Sequence, residues 1–124
     1  MKERVVVTGM GAVTPLGLGV APLWQGVVDG RSGVGPITRF DASVLSTQIA
    51  AEVKGFDPEA HFPRKEARRM EPFVQYAVVA ARQAAADASL LSDGVSRARI
   101  GVIVGTGIGG VGVLIEQAKI LETQ

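Results

Sequence analysis

The chain contains no cysteine, so it can form no disulfide, no thiolate metal site and no cysteine nucleophile of its own. Histidine occurs once, as His61, which excludes a histidine metal cluster and leaves no metal-binding set to name. Aromatic residues make up only 5% of the sequence, and with no cysteine framework this does not suit a β-sandwich or a small disulfide scaffold. Neither sign of charge prevails: 13 basic and 12 acidic residues give a net charge of +1, so a general nucleic-acid binder is excluded. A signal-peptide core is lacking too. Met1-Lys2-Glu3-Arg4 is followed by only three valines before Thr8-Gly9. Ile100 to Ile115 carries no charge, but it is shorter than the ~20 residues of a membrane span. Glycines also break it, and it reads as strand, turn and helix start. Together these absences fit a cytoplasmic protein with no membrane span.

What is present is enough for one domain at most: 124 residues, 47% hydrophobic, with Ala, Val and Gly dominant. That balance suits close-packed helices over a buried parallel sheet, whose strands read as continuous apolar runs. Val5-Val6-Val7 predicts a buried strand. Ala21 to Val28 predicts a short helix stopped by Asp29-Gly30, with Trp24 on its core side. Thr47 to Val53 alternates as a half-buried strand would. A long helix is expected from Arg64 to Leu90, with Met70, Phe73, Val74, Ala77, Ala81, Ala84 and Ala88 on one face. Its alanines suggest a close neighbour, although alanine is also the best helix former. Arg99 to Gly105 predicts a second buried strand and Gly109 to Leu121 a further helix. The alternation of strand and helix predicts a layered α/β fold. So few strands cannot close a sheet covered on both faces, so missing chain, a missing partner or exposed apolar surface is expected. Gln124 falls at or just past a helix with no cap signal, as in a chain cut short.

Three motifs carry possible chemistry. Gly9-Met10-Gly11-Ala12 follows the first strand, as a dinucleotide loop would. Thr14 stands where the third glycine belongs, and Asp29 ends a helix instead of a second strand. Gly105-Thr106-Gly107-Ile108-Gly109-Gly110 joins a strand to a helix, whose N-terminus attracts phosphate. Tight turning explains its glycines as well, and Ile108 among them makes a wall for an apolar ligand. The third motif is Arg64-Lys65-Glu66-Ala67-Arg68-Arg69. On a helix, Lys65, Arg68 and Arg69 share one face. A solvated helix end paired with Glu66 and Glu71 is one interpretation; a docking patch for an acidic partner is the other. Basic charge near a helix start opposes the helix dipole, which favours the docking interpretation. His61, in a proline-flanked loop, reads as a surface histidine, since no nucleophile or orienting carboxylate is apparent beside it.

Taken in order, these segments resemble the β-ketoacyl-acyl-carrier-protein synthases, the condensing enzymes of fatty-acid synthesis, and the type II synthases especially. The matching text is Arg4-Val5-Val6-Val7-Thr8-Gly9-Met10-Gly11-Ala12-Val13-Thr14-Pro15-Leu16-Gly17, then Ser32-Gly33-Val34-Gly35-Pro36-Ile37-Thr38-Arg39-Phe40-Asp41. Arg64 to Met70, Phe73-Val74-Gln75-Tyr76-Ala77 and Gly105 to Gly110 complete it. The resemblance implies the first part of a thiolase-like layered α-β-α-β-α fold, spanning residues 1–124 and truncated before the catalytic cysteine. It implies fatty-acid chain elongation by decarboxylative Claisen condensation of an acyl thioester with malonyl-acyl carrier protein. In that chemistry a cysteine carries the acyl chain, histidines and a lysine assist, and backbone amides stabilise the oxyanion. None of that catalytic set matches a position here, so the isolated chain is expected to be inactive. Lys65, Arg68 and Arg69 match the basic patch that docks acyl carrier protein. Gly107 and Ile108 match the acyl pocket near the dimer interface. The resemblance implies a homodimer, or a companion chain supplying the missing part, and no cofactor. Other functions remain open: a non-catalytic carrier-protein-binding or dimerisation module, and a nucleotide-binding module on the two glycine loops.

Overall fold

A computed structural model describes residues 3–123; Met1, Lys2 and Gln124, with the chain-end expectation, lie outside the described residues. The first ordered feature is a hairpin of β1 (Val13–Thr14) and β2 (Gly17–Leu18), turned at Pro15-Leu16. Helix α1 (Val20–Val28) follows and ends at Asp29-Gly30 as expected. Gly30 adopts φ +65°, which glycine alone takes without strain. Trp24 is not core: it is 66% exposed, and Gly26 is the residue α1 buries. Gly26 faces Leu16, and the absence of a side chain lets helix and hairpin meet closely.

Only Ile49–Ala50 of the expected strand over residues 47–53 is paired, as β4 against β3 (Gly35–Pro36). Beside this ladder, Glu52 accepts hydrogen bonds from the Thr38 hydroxyl (2.6 Å) and the Thr38 N–H (3.1 Å). Those bonds favour its charged form and hold its carboxyl below the usual range.

The long helix expected over 64–90 is broken. It forms α2 (Arg64–Ala67) and α3 (Pro72–Asp87), with Glu71 extended between them at φ −69°, ψ 156°. Pro72 is the cause. Its ring excludes the helical conformation from Glu71, and it has no N–H to continue the ladder. At the first turn of α3, by contrast, the missing N–H costs nothing.

Three faces of α3 meet different neighbours. Val79 and Gln75 are buried, and Val79 joins Phe62 and Ala67 in the core, with Val13, Phe56, Met70 and Val78 packed around them. The Phe56 ring meets Tyr76 edge-on at 4.9 Å and stacks on His61 at 5.2 Å. A second face, at Ala80, Ala84 and Ala88, receives the Gly9–Gly11 segment. Of the face expected to be buried, Met70 packs on the core and Ala84 and Ala88 meet this segment, but Phe73, Val74, Ala77 and Ala81 belong to a third face, with Ala85. This third face lines an open groove of about 670 Å³ against Val102 and Val104.

Neither buried strand of the sequence analysis forms. Val5 is 97% and Ile103 99% exposed, and both runs lack sheet partners among the described residues. A β-branched run favours extended backbone, but a strand exists only when a neighbour takes its N–H and C=O groups. The only ladders among the described residues are the two short antiparallel pairs. Exposed apolar surface, one of the three outcomes expected of too few strands, is present. The last helix, α4 (Val111–Glu122), forms close to its expected range.

Candidate functional site

The site is built on the short α2 segment. Asp57 accepts a hydrogen bond from the Glu59 N–H (3.0 Å) and caps a 3-10 turn at Pro58–Ala60. This turn leads through His61-Phe62-Pro63 into α2. Phe62, 4% exposed, and Ala67, 7% exposed, anchor the two ends of the segment in the core. Arg64 pairs with Glu59 at 3.4 Å. Lys65, Arg68 and Arg69 are exposed and make no ion pair among the described residues. The expected pairs with Glu66 and Glu71 do not form. Lys65 is the second residue of α2, whereas Arg68 is its C-cap and Arg69 lies beyond it. The argument that the dipole opposes these charges therefore applies to Lys65 and not to Arg68 and Arg69, which follow the helical turn.

The break leaves helix-end carbonyls without their usual donors. Gln75 supplies them. Its Nε2 donates to the Ala67 carbonyl (2.8 Å) and the Met70 carbonyl (3.0 Å) from a position only 6% exposed. Sequence reasoning missed Gln75. The available signal was the proline three residues before it.

Glu71 serves the other side of the junction. Its Oε1 accepts the Val113 N–H at 2.9 Å, in the first turn of α4. A carboxylate there occupies the position a phosphate would take at a helix start. Gly109 (φ +55°) and Gly110 (φ +59°) make the turn into α4, and Phe73 lies against Gly109. Both conformations are left-handed, so both glycines are required by the turn. Ile108, on the same loop, is 78% exposed, and neither it nor Gly107 lines the groove beside α3. We expect Glu71→Ala to cost about 1 kcal/mol at this cap. Faster amide exchange at Val113, with Val79 unchanged, is the measurable result.

The first glycine motif also proves structural. The Met10 N–H donates to Asp87 Oδ2 (3.0 Å) and the Ala12 N–H to Gln83 Oε1 (2.9 Å). Alternate residues of an extended chain are about 6–7 Å apart, close to the rise of four helical residues. Positions 10 and 12 can therefore bond positions 87 and 83. A β-carbon on Gly9 or Gly11 would run into the Ala84 or Ala80 carbonyl of α3. The Met10 and Ala12 amides are thus taken, the first by a carboxylate, and the nucleotide interpretation fails for this loop.

His61 is exposed, as expected, and its carbonyl accepts from Arg82 (2.9 Å), whose guanidinium lies 5.0 Å over the Phe62 ring. Among the described residues, no group of three or more His, Asp or Glu side chains is placed to hold a metal. No helix among the described residues is long and apolar enough to cross a membrane.

Comparison with known proteins gives this arrangement its family. The description "Beta-ketoacyl synthase, N-terminal domain" matches residues 2–123, and the chain belongs to that family. It is 51% identical, over 97% of its length, to a 3-oxoacyl-acyl-carrier-protein synthase 2 of Synechocystis sp.. A synthase of the same description from Coxiella burnetii is 51% identical over 89% of the chain. The chain spans only 29% and 27% of those two relatives. Among solved structures, a β-ketoacyl synthase from Burkholderia phymatum superposes with TM-score 0.76 at 34% identity, over 98% of this chain and 30% of that one. The ishigamide ketosynthase/chain length factor gives TM-score 0.68 at 36% identity, over 94% of this chain and 30% of its own. The mixed helix and strand content agrees with ketosynthase neighbours.

Proposed function

We propose that residues 1–124 are the N-terminal part of a ketosynthase domain with a thiolase-like layered α-β-α-β-α fold. The enzyme elongates acyl chains in the cytoplasm on acyl carrier protein. The observation that carries the proposal is the exposed trio Lys65, Arg68 and Arg69, free of ion pairs among the described residues, in a chain belonging to the β-ketoacyl synthase family. Unpaired cations on a well-anchored turn suit an acidic protein partner.

The reaction takes its nucleophile from polypeptide outside these residues, because this chain contains no cysteine. A cysteine thiolate attacks the acyl thioester and the carrier thiol leaves. Malonyl-carrier protein then loses carbon dioxide. The resulting carbanion attacks the acyl-enzyme carbonyl, forming the carbon–carbon bond and releasing the cysteine. The oxyanion of each addition is held by backbone amides.

The exposed apolar run Val102-Ile103-Val104 and the groove beside α3 support assembly with further protein, as a homodimer or with a companion chain. The neighbour named as a ketosynthase/chain length factor supports the companion arrangement. Gly107 and Ile108 would line the acyl pocket close to such an interface.

Incubation with carrier protein loaded with an acyl thioester, followed by intact mass measurement, tests the proposal. The full-length protein should gain the mass of the acyl group, and the 124-residue chain alone should not. Acylation of the isolated chain, or none of the full-length protein, would refute it. The pocket assignment has its own test. Ile108→Phe should reduce kcat/KM for the longest accepted acyl chain by about fivefold to 150-fold, at about 1–3 kcal/mol for an overpacked apolar site. Short chains should be affected little. Equal loss at all chain lengths would remove Ile108 from the pocket.

A further inference from the structure

The docking surface has a buried support that touches none of its charges. Pro72 separates α2 from α3, and residues 68–70 form a bend off the end of α2. The N–H groups of Arg68, Arg69 and Met70 bond back to the Arg64 and Glu66 carbonyls, but no further helical turn follows to supply donors to the bend's own carbonyls. Lys65 is held within α2, but Arg68 and Arg69 lie on the bend itself.

Gln75 closes over that bend from below. Its amide nitrogen carries two hydrogens, and the structure gives it two acceptors, the carbonyls of Ala67 at 2.8 Å and Met70 at 3.0 Å. Those carbonyls bracket Arg68 and Arg69 in the chain. Both ends of the cationic pair are thus tied to one side chain, which is 6% exposed. A buried amide whose donors are both used is costly to displace. We infer that Gln75 is the positioning residue of the docking surface: it fixes the direction in which Arg68 and Arg69 are presented without meeting the partner. This rests on the docking function proposed above.

The test uses the full-length protein and an acidic acyl carrier protein at low ionic strength. Dissociation constants are measured for four proteins: wild type, Gln75→Met, the Lys65/Arg68/Arg69→Ala triple, and the triple combined with Gln75→Met. Methionine matches glutamine in length and lacks the donor. In the wild-type background, Gln75→Met should weaken binding about fivefold, a coupling of ordinary size for groups in one network. In the triple background it should change nothing, because no cation remains to be aimed. Equal weakening in both backgrounds would show a general structural role and overturn the inference. No weakening in the wild-type background would overturn it as well. An affinity unchanged in the triple alone would defeat the docking function itself, a separate and recognisable failure. If Gln75→Met does not melt cooperatively, Gln75→Asn carries the same comparison, since its amide is one carbon too short to reach both carbonyls.

Discussion

Replacing Gly11 with alanine is expected to destabilise the protein by about 3 kcal/mol, the upper end of the ordinary cost of overpacking. The added β-carbon would overlap the Ala80 carbonyl and approach Gln83 Cβ to 2.8 Å. A flexible side chain could yield to such a contact; a helix carbonyl cannot without disturbing α3. The Ala12 N–H would also be pushed from Gln83, leaving a half-buried donor short of its partner. Thermal unfolding should fall by on the order of 10 °C. Gly55→Ala makes a useful contrast. No atom lies within 4 Å of its added β-carbon, so its cost comes only from backbone at φ +68°. If Gly11→Ala melts like wild type, the packing of residues 9–12 on α3 is wrong.

Changing Lys65, Arg68 and Arg69 together to alanine should leave folding intact and strongly impair carrier-protein use. All three side chains are exposed and unpaired among the described residues, so their removal opens no core cavity and strands no buried charge. Each exposed charge pair with a partner is worth about 0.2–1 kcal/mol. Three acting together amount to about threefold to hundredfold in KM for the carrier-bound substrate. The effect should shrink as salt rises, since screening already weakens these contacts in the wild type. A change in kcat with KM unaltered would place the residues elsewhere in the mechanism.

Much of this was legible in the sequence, and the failures share causes. Helix α1 announced itself through Asp29-Gly30, and α4 through Gly109-Gly110, because caps and turns are local. Pro72 was equally local but was overlooked. The periodic alanines around it suggested one helix and hid the bend that carries Arg68 and Arg69. Once Pro72 is given its weight, an extended Glu71 follows. The roles of Glu71 and Gln75 do not follow, since Val113 and the Ala67 carbonyl become their partners only through the tertiary arrangement. Val5-Val6-Val7 and Ile100 to Val104 were assigned as strands on composition that is sound. Pairing is a property of neighbours, and the described residues supply them no ladder. Trp24 failed similarly: the apolar side of α1 points into an open hollow with Met10 and Pro22. The close approach that Gly9 and Gly11 allow depends on Ala80 and Ala84 behind them, which only the tertiary arrangement supplies.

The most direct test of the docking function is the salt dependence of acyl-carrier-protein binding by the full-length protein. Affinity should fall steadily as ionic strength rises from about 0.01 M to about 1 M, where the screening length shrinks from about 30 Å to about 3 Å. The slope should flatten when Lys65, Arg68 and Arg69 are alanine. Binding that is independent of salt, or a slope unchanged by the triple substitution, would contradict the account.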